Sequence, residues 1–257
     1  MNIISENLYY KDFRNLIAYQ KMLNIIEMIF RDKDIKNFDE AKGIKQLIRI
    51  ATEIAKANGS LLTDKGQEYH YRRAIYNIIR VKEHYGDDKV LIKKINEIEK
   101  IIHAYKKNIR GKGEQQMKKV KSDTLDIKYV QRRIDSLKDF RYLKGYQIAL
   151  EFYKKLYEVI SELPFYEQYG VFDQLDRASM SIVANLAEGN ENIYDLKKVN
   201  FYAIALATSN ECQCWLDIMY IKKYITKEKH HELDSMLVEI KNLIIAYIKA
   251  VNTEKVA

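Results

Sequence analysis

The feature that most restricts the fold of this chain is its shortage of residues that interrupt helices. Only one proline and nine glycines occur among 257 residues, which is too few for the many turns that a sheet protein needs. Hydrophobic residues make up 47% of the chain, enough to supply a core. We therefore expect an all-α protein built of long helices joined by short loops. The length suits two domains of about 120 residues each.

A repeated segment indicates how the helices are organised. Residues 12–20 read DFRNLIAYQ and residues 139–147 read DFRYLKGYQ, an offset of 127 at which six of nine positions are identical. A shorter match pairs residues 46–49 with residues 174–177 at an offset of 128. Similarity at a fixed internal offset is typical of a duplicated structural unit.

Apolar periodicity divides each copy of the unit into four helices. In the first copy they cover about residues 8–31, 39–58, 65–85 and 87–110. In the second copy the apolar stripes run through residues 143–163, 167–188, 201–219 and 233–251. The first of these stripes contains Tyr146, Tyr153 and Tyr157, Pro164 ends that helix, and Gly189 is expected to cap the next one.

Four helices with short connections favour an antiparallel, up-and-down four-helix bundle. We predict a divergent, basic N-terminal bundle over residues 1–110, a polar linker over 111–121, and a C-terminal bundle over 122–257. Ser122 is expected to cap a helix that continues into the second copy. The predicted architecture is therefore two bundles in tandem.

The sequence also predicts the compartment. No apolar run is long enough to cross a membrane, and residues 1–10 lack the pattern of a signal peptide, so we expect a cytoplasmic protein without membrane contact. Cys212 and Cys214 are about 200° apart on a helix, which disfavours a shared metal or a disulfide between them. We expect Cys212 to face the core, and we predict no metal site and no cofactor.

Positive charge is confined to one part of the chain. Residues 1–120 contain 25 basic and 16 acidic residues, a net charge of +9, and residues 121–257 contain 19 and 20, a net charge of −1. Helical spacing places the basic residues of the first copy in stripes on its second, third and fourth helices. These candidate nucleic-acid-binding residues are Lys42, Lys45, Arg49, Lys56, Arg72, Arg73, Arg80, Lys89, Lys93, Lys100 and Lys107. Like charges at such spacing repel each other unless an anion lies between them, and a phosphate backbone is the expected partner. The alternative is a lysine-rich face that only contacts water.

No catalytic constellation can be assembled from the sequence. The five histidines show neither zinc-ligand spacing nor a catalytic triad order, and no glycine-rich phosphate loop is present. The segment Arg80 to His84 has too few intervening residues for the Arg–His motif of helical ribonucleases. We therefore expect a binding protein with no catalytic residues.

The segment from Gln174 to Gly189, reading QLDRASMSIVANLAEG, together with Pro164, resembles the signature of a family of four-helix-bundle proteins. That family includes proteins encoded in intervening sequences of 23S rRNA genes and the accessory variability determinants of diversity-generating retroelements. The resemblance covers about residues 138–252, and it reaches residues 8–110 only through the internal repeat.

The resemblance implies a non-enzymatic, oligomeric, ring-like protein. The function that the resemblance implies first is that of an accessory protein that binds RNA or an RNA/DNA hybrid together with a reverse transcriptase. The alternatives are an rRNA intervening-sequence protein of unknown role and, from another class, a helical nuclease or the partner of a toxin system.

Overall fold

The chain is described by a computed structural model over residues 12–32, 38–59, 64–110, 131, 134–135 and 138–253. These residues form helices and no strands, so the predicted all-α class is confirmed. Numbered in chain order, the long helices of the described residues are α1 (Ile17–Asp32), α2 (Phe38–Gly59), α3 (Asp64–His84), α4 (Lys89–Arg110), α5 (Lys144–Ile160), α6 (Asp173–Glu191), α7 (Asp195–Ile221) and α8 (Lys227–Thr253). The predicted linker and the helix start at Ser122 lie outside the described residues. No described helix is both apolar enough and long enough to cross a lipid bilayer.

Within each half of the chain, each of the four helices contacts the next one, and the fourth contacts the first. In the first half, residues 12–110, α1 contacts α2, α2 contacts α3, α3 contacts α4, and α4 returns to α1. The second half, residues 138–253, repeats this order with α5 to α8. This is the contact order that a four-helix bundle requires, and the antiparallel, tandem-bundle packing remains a prediction. The halves pack on each other mainly through α2 and α7.

The two copies of the repeated motif have the same local structure. In each, the aspartate side chain accepts a hydrogen bond from the backbone N–H two residues later, Arg14 after Asp12 and Arg141 after Asp139. A 3-10 turn follows each aspartate, and α1 and α5 begin at the fifth residue after it. Edge-to-face ring contacts recur as well, at 4.7 Å in the first copy and 4.9 Å in the second. The repeat in sequence is thus a repeat in local structure.

These turns correct two predicted helix starts. The first helix does not run from about residue 8 through the motif but begins at Ile17. In the second copy, residues 138–139 are not helical and α5 begins only at Lys144, so no continuous helix enters from the preceding segment. The physical reason is the aspartate cap, which turns the chain immediately before each helix.

Gly189 is not the helix cap that the sequence predicted. It lies buried inside α6, which ends at Glu191. A Cβ atom at Gly189 would lie 2.6 Å from the Tyr202 ring, so glycine is needed for close packing of α6 on α7. Gly59 ends α2, and a Cβ there would lie 2.4 Å from the Cα of Ala207. Both glycines therefore let a helix approach α7 closely.

The buried face of α5 is rotated about the helix axis relative to the apolar stripe that the sequence predicted. Its buried residues are Gly145, Ala149, Phe152, Leu156 and Ile160, whereas Tyr157 is 45% exposed. Tyrosine rings have an apolar body and a polar tip, so they are compatible with either position on a helix. Cys212 is buried, as predicted, and Cys214 is buried with it.

Candidate functional site

An ion-pair cluster built around the first motif copy joins the two halves. The Arg14 guanidinium donates to Asp217 on α7 at 2.8 and 3.0 Å and to Asp234 on α8 at 2.9 Å. The Tyr19 hydroxyl donates to Asp217 at 2.8 Å, and His230 lies 2.8 Å from the same carboxylate. Burial alone would raise the pKa of Asp217, but the hydrogen bond from His230 and the charge and hydrogen bonds of Arg14 outweigh it and lower that pKa.

A buried lysine completes this cluster. Lys241 on α8 is only 3% exposed, and its ammonium group donates to the side-chain oxygens of Gln213 and Asn210. It also lies 5.9 Å from the centre of the Phe13 ring. Burial lowers the pKa of Lys241 to about 8, although the nearby charge of Asp12 acts in the opposite direction. The first motif copy is therefore surrounded by buried charge.

The contact between α2 and α7 is close and polar. The Asn210 amide donates to the carbonyl of Ala55 at 3.1 Å, and Lys56 pairs with Glu211 at 2.6 Å. These bonds, with the close approach at Gly59, fix α2 against α7. The two halves consequently form the walls of one groove.

The groove between the halves has a volume of about 1940 Å³. Its walls are α1, α2 and α3 from the first half and α6, α7 and the loops around them from the second. Nine basic residues line it: Arg31, Lys42, Lys45, Arg49, Lys56, Arg73, Arg177, Lys222 and Lys223. Four acidic residues line it: Glu27, Glu53, Glu167 and Glu211. The groove thus carries an excess of positive charge.

Three of these four carboxylates are already neutralised by neighbours. Glu53 lies 2.7 Å from His70 and 2.8 Å from Arg73, and Glu211 pairs with Lys56. Glu167 is held by Lys222 and by the Tyr224 hydroxyl at 2.8 Å. Lys42, Lys45 and Arg49 are exposed and have no ion pair with any carboxylate that the structure describes. The positive charge of α2 therefore remains available to an anion.

Exposed aromatic side chains lie at one rim of the groove, where Tyr166 and Tyr169 line it and Phe165 is the residue before them. Residues 164–172, which we call the aromatic turn, consist of a 3-10 turn followed by a short π-helical turn. Phe165, Tyr166 and Tyr169 within it are 84%, 74% and 76% exposed. The Lys45 ammonium reaches the carbonyl of Tyr169 at 3.4 Å, so this turn lies beside the basic face of α2.

The loop between α7 and α8, which lies beside the aromatic turn, has unusual backbone geometry. Lys223, between α7 and α8, has a φ of 58°, in the left-handed region that favours glycine. Hydrogen bonds from Lys223 N–H to the Tyr220 carbonyl and from Tyr224 N–H to the Met219 carbonyl end α7 as a Schellman motif. A lysine at this position costs about 1 kcal/mol relative to glycine, and the bend directs Lys222 and Tyr224 towards Glu167.

The predicted basic residues do not form one surface. Lys42, Lys45, Arg49, Lys56 and Arg73 line the groove. Arg72 pairs with Glu68 and Arg80 with the Tyr76 hydroxyl on α3. The α4 residues Lys89, Lys93, Lys100 and Lys107 are exposed, and the first three line a separate shallow depression. The structure therefore separates the α2 stripe from the α4 stripe.

Sequence reasoning missed the contribution of the second half. Arg177, Lys222 and Lys223 line the groove although that half is nearly neutral. Two features of the sequence could have indicated these residues. Arg177 lies within the family-like signature, and Lys222 and Lys223 directly follow a long apolar helix. Over the residues that the structure describes, no cluster of three or more histidine, cysteine or acidic side chains is arranged to hold a metal ion.

Comparison with known proteins gives one family. Among curated proteins none matches this chain. Residues 141–246, which include α6, α7 and most of α8, are similar to the family described as 23S rRNA-intervening sequence protein.

Proposed function

We propose that this protein is a non-enzymatic nucleic-acid-binding protein and that the groove between its halves holds the nucleic acid. The observation that supports this best is the charge of the groove, in which no described carboxylate pairs with Lys42, Lys45 or Arg49 while three of the four lining carboxylates are neutralised. A polyanion gains from such a face because each neutralised phosphate releases counterions. RNA is the ligand we propose, with an RNA/DNA hybrid as the second candidate.

The chain offers a matched pair of variants for testing this proposal. Lys42→Glu/Lys45→Glu/Arg49→Glu reverses three charges on α2, and Lys89→Glu/Lys93→Glu/Lys100→Glu reverses three on α4. Binding of a labelled RNA is measured by fluorescence anisotropy from about 50 to about 200 mM salt. We expect the α2 variant to bind much more weakly and to lose roughly 2 units of logarithmic salt slope, since each phosphate contact contributes about 0.7 to 0.9.

The α4 variant is expected to bind nearly as the unmodified protein does. Equal losses in the two variants would show that binding follows net charge and not the groove. Undiminished binding by the α2 variant at low salt would refute the proposal. Circular dichroism checks that both variants remain helical, because exposed charges contribute little to folding.

The narrower role we propose is that of an accessory protein to the reverse transcriptase of a diversity-generating retroelement. It rests on the resemblance of the Gln174–Gly189 signature alone, whereas the match of residues 141–246 favours the alternative, a role in the rRNA intervening-sequence family. Purification of the tagged protein with its bound RNA and proteins distinguishes the two. Recovery of a reverse transcriptase supports the first role, and recovery of rRNA fragments without that enzyme supports the second.

A further inference from the structure

We propose that the groove binds single-stranded nucleic acid and that the aromatic turn stacks on its bases. This inference rests on the proposed function and specifies its ligand. It is carried by the combination of two features that a duplex-binding surface does not need together, a basic helix face and exposed aromatic rings beside it.

Among the described residues, ring packing does not explain the exposure of the aromatic turn, and Tyr166 makes only a long hydroxyl contact, accepting from the Tyr224 hydroxyl at 3.4 Å. Three aromatic residues among five consecutive positions, Phe165, Tyr166 and Tyr169, are each more than 70% exposed. No described aromatic ring packs on any of them. Phenylalanine and tyrosine rings normally contribute their large apolar faces to cores or interfaces, and a cluster of exposed apolar groups marks a binding surface.

Buried contacts of Glu167 and Val171 hold the aromatic turn in place. Glu167 is 6% exposed and Val171 is 1% exposed, so two side chains of the turn, four residues apart, are buried. The Glu167 carboxylate accepts from Lys222, from the Tyr224 hydroxyl and from the Val171 N–H at 3.2 Å. Burial raises the pKa of this carboxyl, but the charge of Lys222 and these hydrogen bonds outweigh burial and lower the pKa. The rings are therefore presented on a fixed support, which lowers the entropy cost of binding.

The basic side chains are placed to follow a strand. Lys42, Lys45 and Arg49 are three and four residues apart on α2, which corresponds to about 4.5 and 6 Å along the helix axis. Lys45 contacts the turn itself through the Tyr169 carbonyl. A backbone that follows α2 thus brings its bases to the aromatic turn.

A duplex cannot use both features. Base faces inside a helix are covered by their neighbours, and only single strands, loops and ends expose faces that stack on protein aromatics. A basic groove alone would accept any polyanion. Positive charge combined with stacking rings is the arrangement of single-strand binding sites.

The test compares one RNA sequence as a single strand, as a duplex and as an RNA/DNA hybrid. We expect the full-length protein to prefer the single strand. In Phe165→Ala/Tyr169→Ala, affinity for the single strand should fall on the order of ten-fold for each ring removed, while duplex affinity stays the same. A strand containing 2-aminopurine should lose fluorescence on binding to the unmodified protein, because stacking quenches it, and should not do so with the double variant.

Two control variants separate stacking from loss of structure. Tyr142→Ala removes a tyrosine that is 81% exposed outside the groove and should leave every affinity unchanged. Tyr169→Phe keeps the ring and should keep the affinity. Equal affinity for single strand and duplex, with no effect of the double variant, would overturn the inference and leave the proposed function intact. Absence of any nucleic-acid binding would overturn both.

Discussion

The two copies of the Asp-Phe-Arg motif have the same backbone and different surroundings. Arg14 in the first copy is 23% exposed and is bound by carboxylates of the other half. Arg141 in the second copy is 70% exposed, and among the described carboxylates it pairs with Asp139 of its own turn alone. The local sequence therefore determines the turn, and the packing of the halves determines what the arginine does. In this chain the first copy holds the halves together and so maintains the groove between them.

Removal of the arginine from each copy should give the largest contrast. Arg14→Ala leaves Asp217 and Asp234 largely buried without their cation, and we expect the free energy of unfolding to fall by about 3 kcal/mol. Arg141→Ala removes an exposed contact and should leave the unfolding free energy close to that of the unmodified chain. Urea denaturation of both variants measures the difference. Similar losses in the two would mean that the first copy does not join the halves.

The buried charges around the first motif copy should also make the free energy of unfolding depend on pH. The exposed second copy should make no such contribution. The pKa of Lys241 is about 8 in the folded chain and is ordinarily 10.5. Between these values this lysine binds more protons in the unfolded chain, so its contribution to the free energy of unfolding rises with pH, by at most about 1.4 kcal/mol per pH unit. Above about pH 9 the raised pKa values of the buried Cys212 and Cys214 thiols act in the opposite direction, and above about pH 10 the raised pKa of the buried Tyr19 does so as well. The useful window is therefore about pH 8–9.

Two substitutions on α8 test this assignment. Lys241→Met should abolish the rise in denaturation midpoint between about pH 8 and 9. Lys249→Met removes an exposed lysine of the same helix and should preserve the rise. A rise that persists in Lys241→Met would assign the pH dependence to another group.

The sequence predicted those parts of the molecule that depend on local patterns. Helical periodicity placed Lys42, Lys45 and Arg49 on one face of α2, and the structure places all three in the groove. The repeat likewise predicted that Tyr19 and Tyr146 are equivalent, and each is the third residue of its helix. Both predictions depend on residues close together in the chain.

The predictions that failed concern features that depend on contacts between residues far apart in the sequence. Gly189 looks like a helix cap in sequence, and only the ring of Tyr202 shows that it is needed for close packing. Lys222 and Lys223 belong to a nearly neutral half, and they join the basic groove because α2 packs on α7. Net charge by sequence segment cannot detect a surface that two segments form together. The same holds for the aromatic turn, whose rings form part of a candidate binding site only because they lie beside α2.

The most direct test of the groove as the nucleic-acid site is photochemical crosslinking of bound RNA. A single-stranded RNA containing 4-thiouridine is irradiated with the full-length protein, and the modified peptides are identified by mass spectrometry. Our account predicts that adducts concentrate in residues 42–56 of α2 and in residues 164–177, which include the aromatic turn. Adducts concentrated in residues 89–107 of α4, or spread evenly over exposed lysines and tyrosines of both halves, would contradict it.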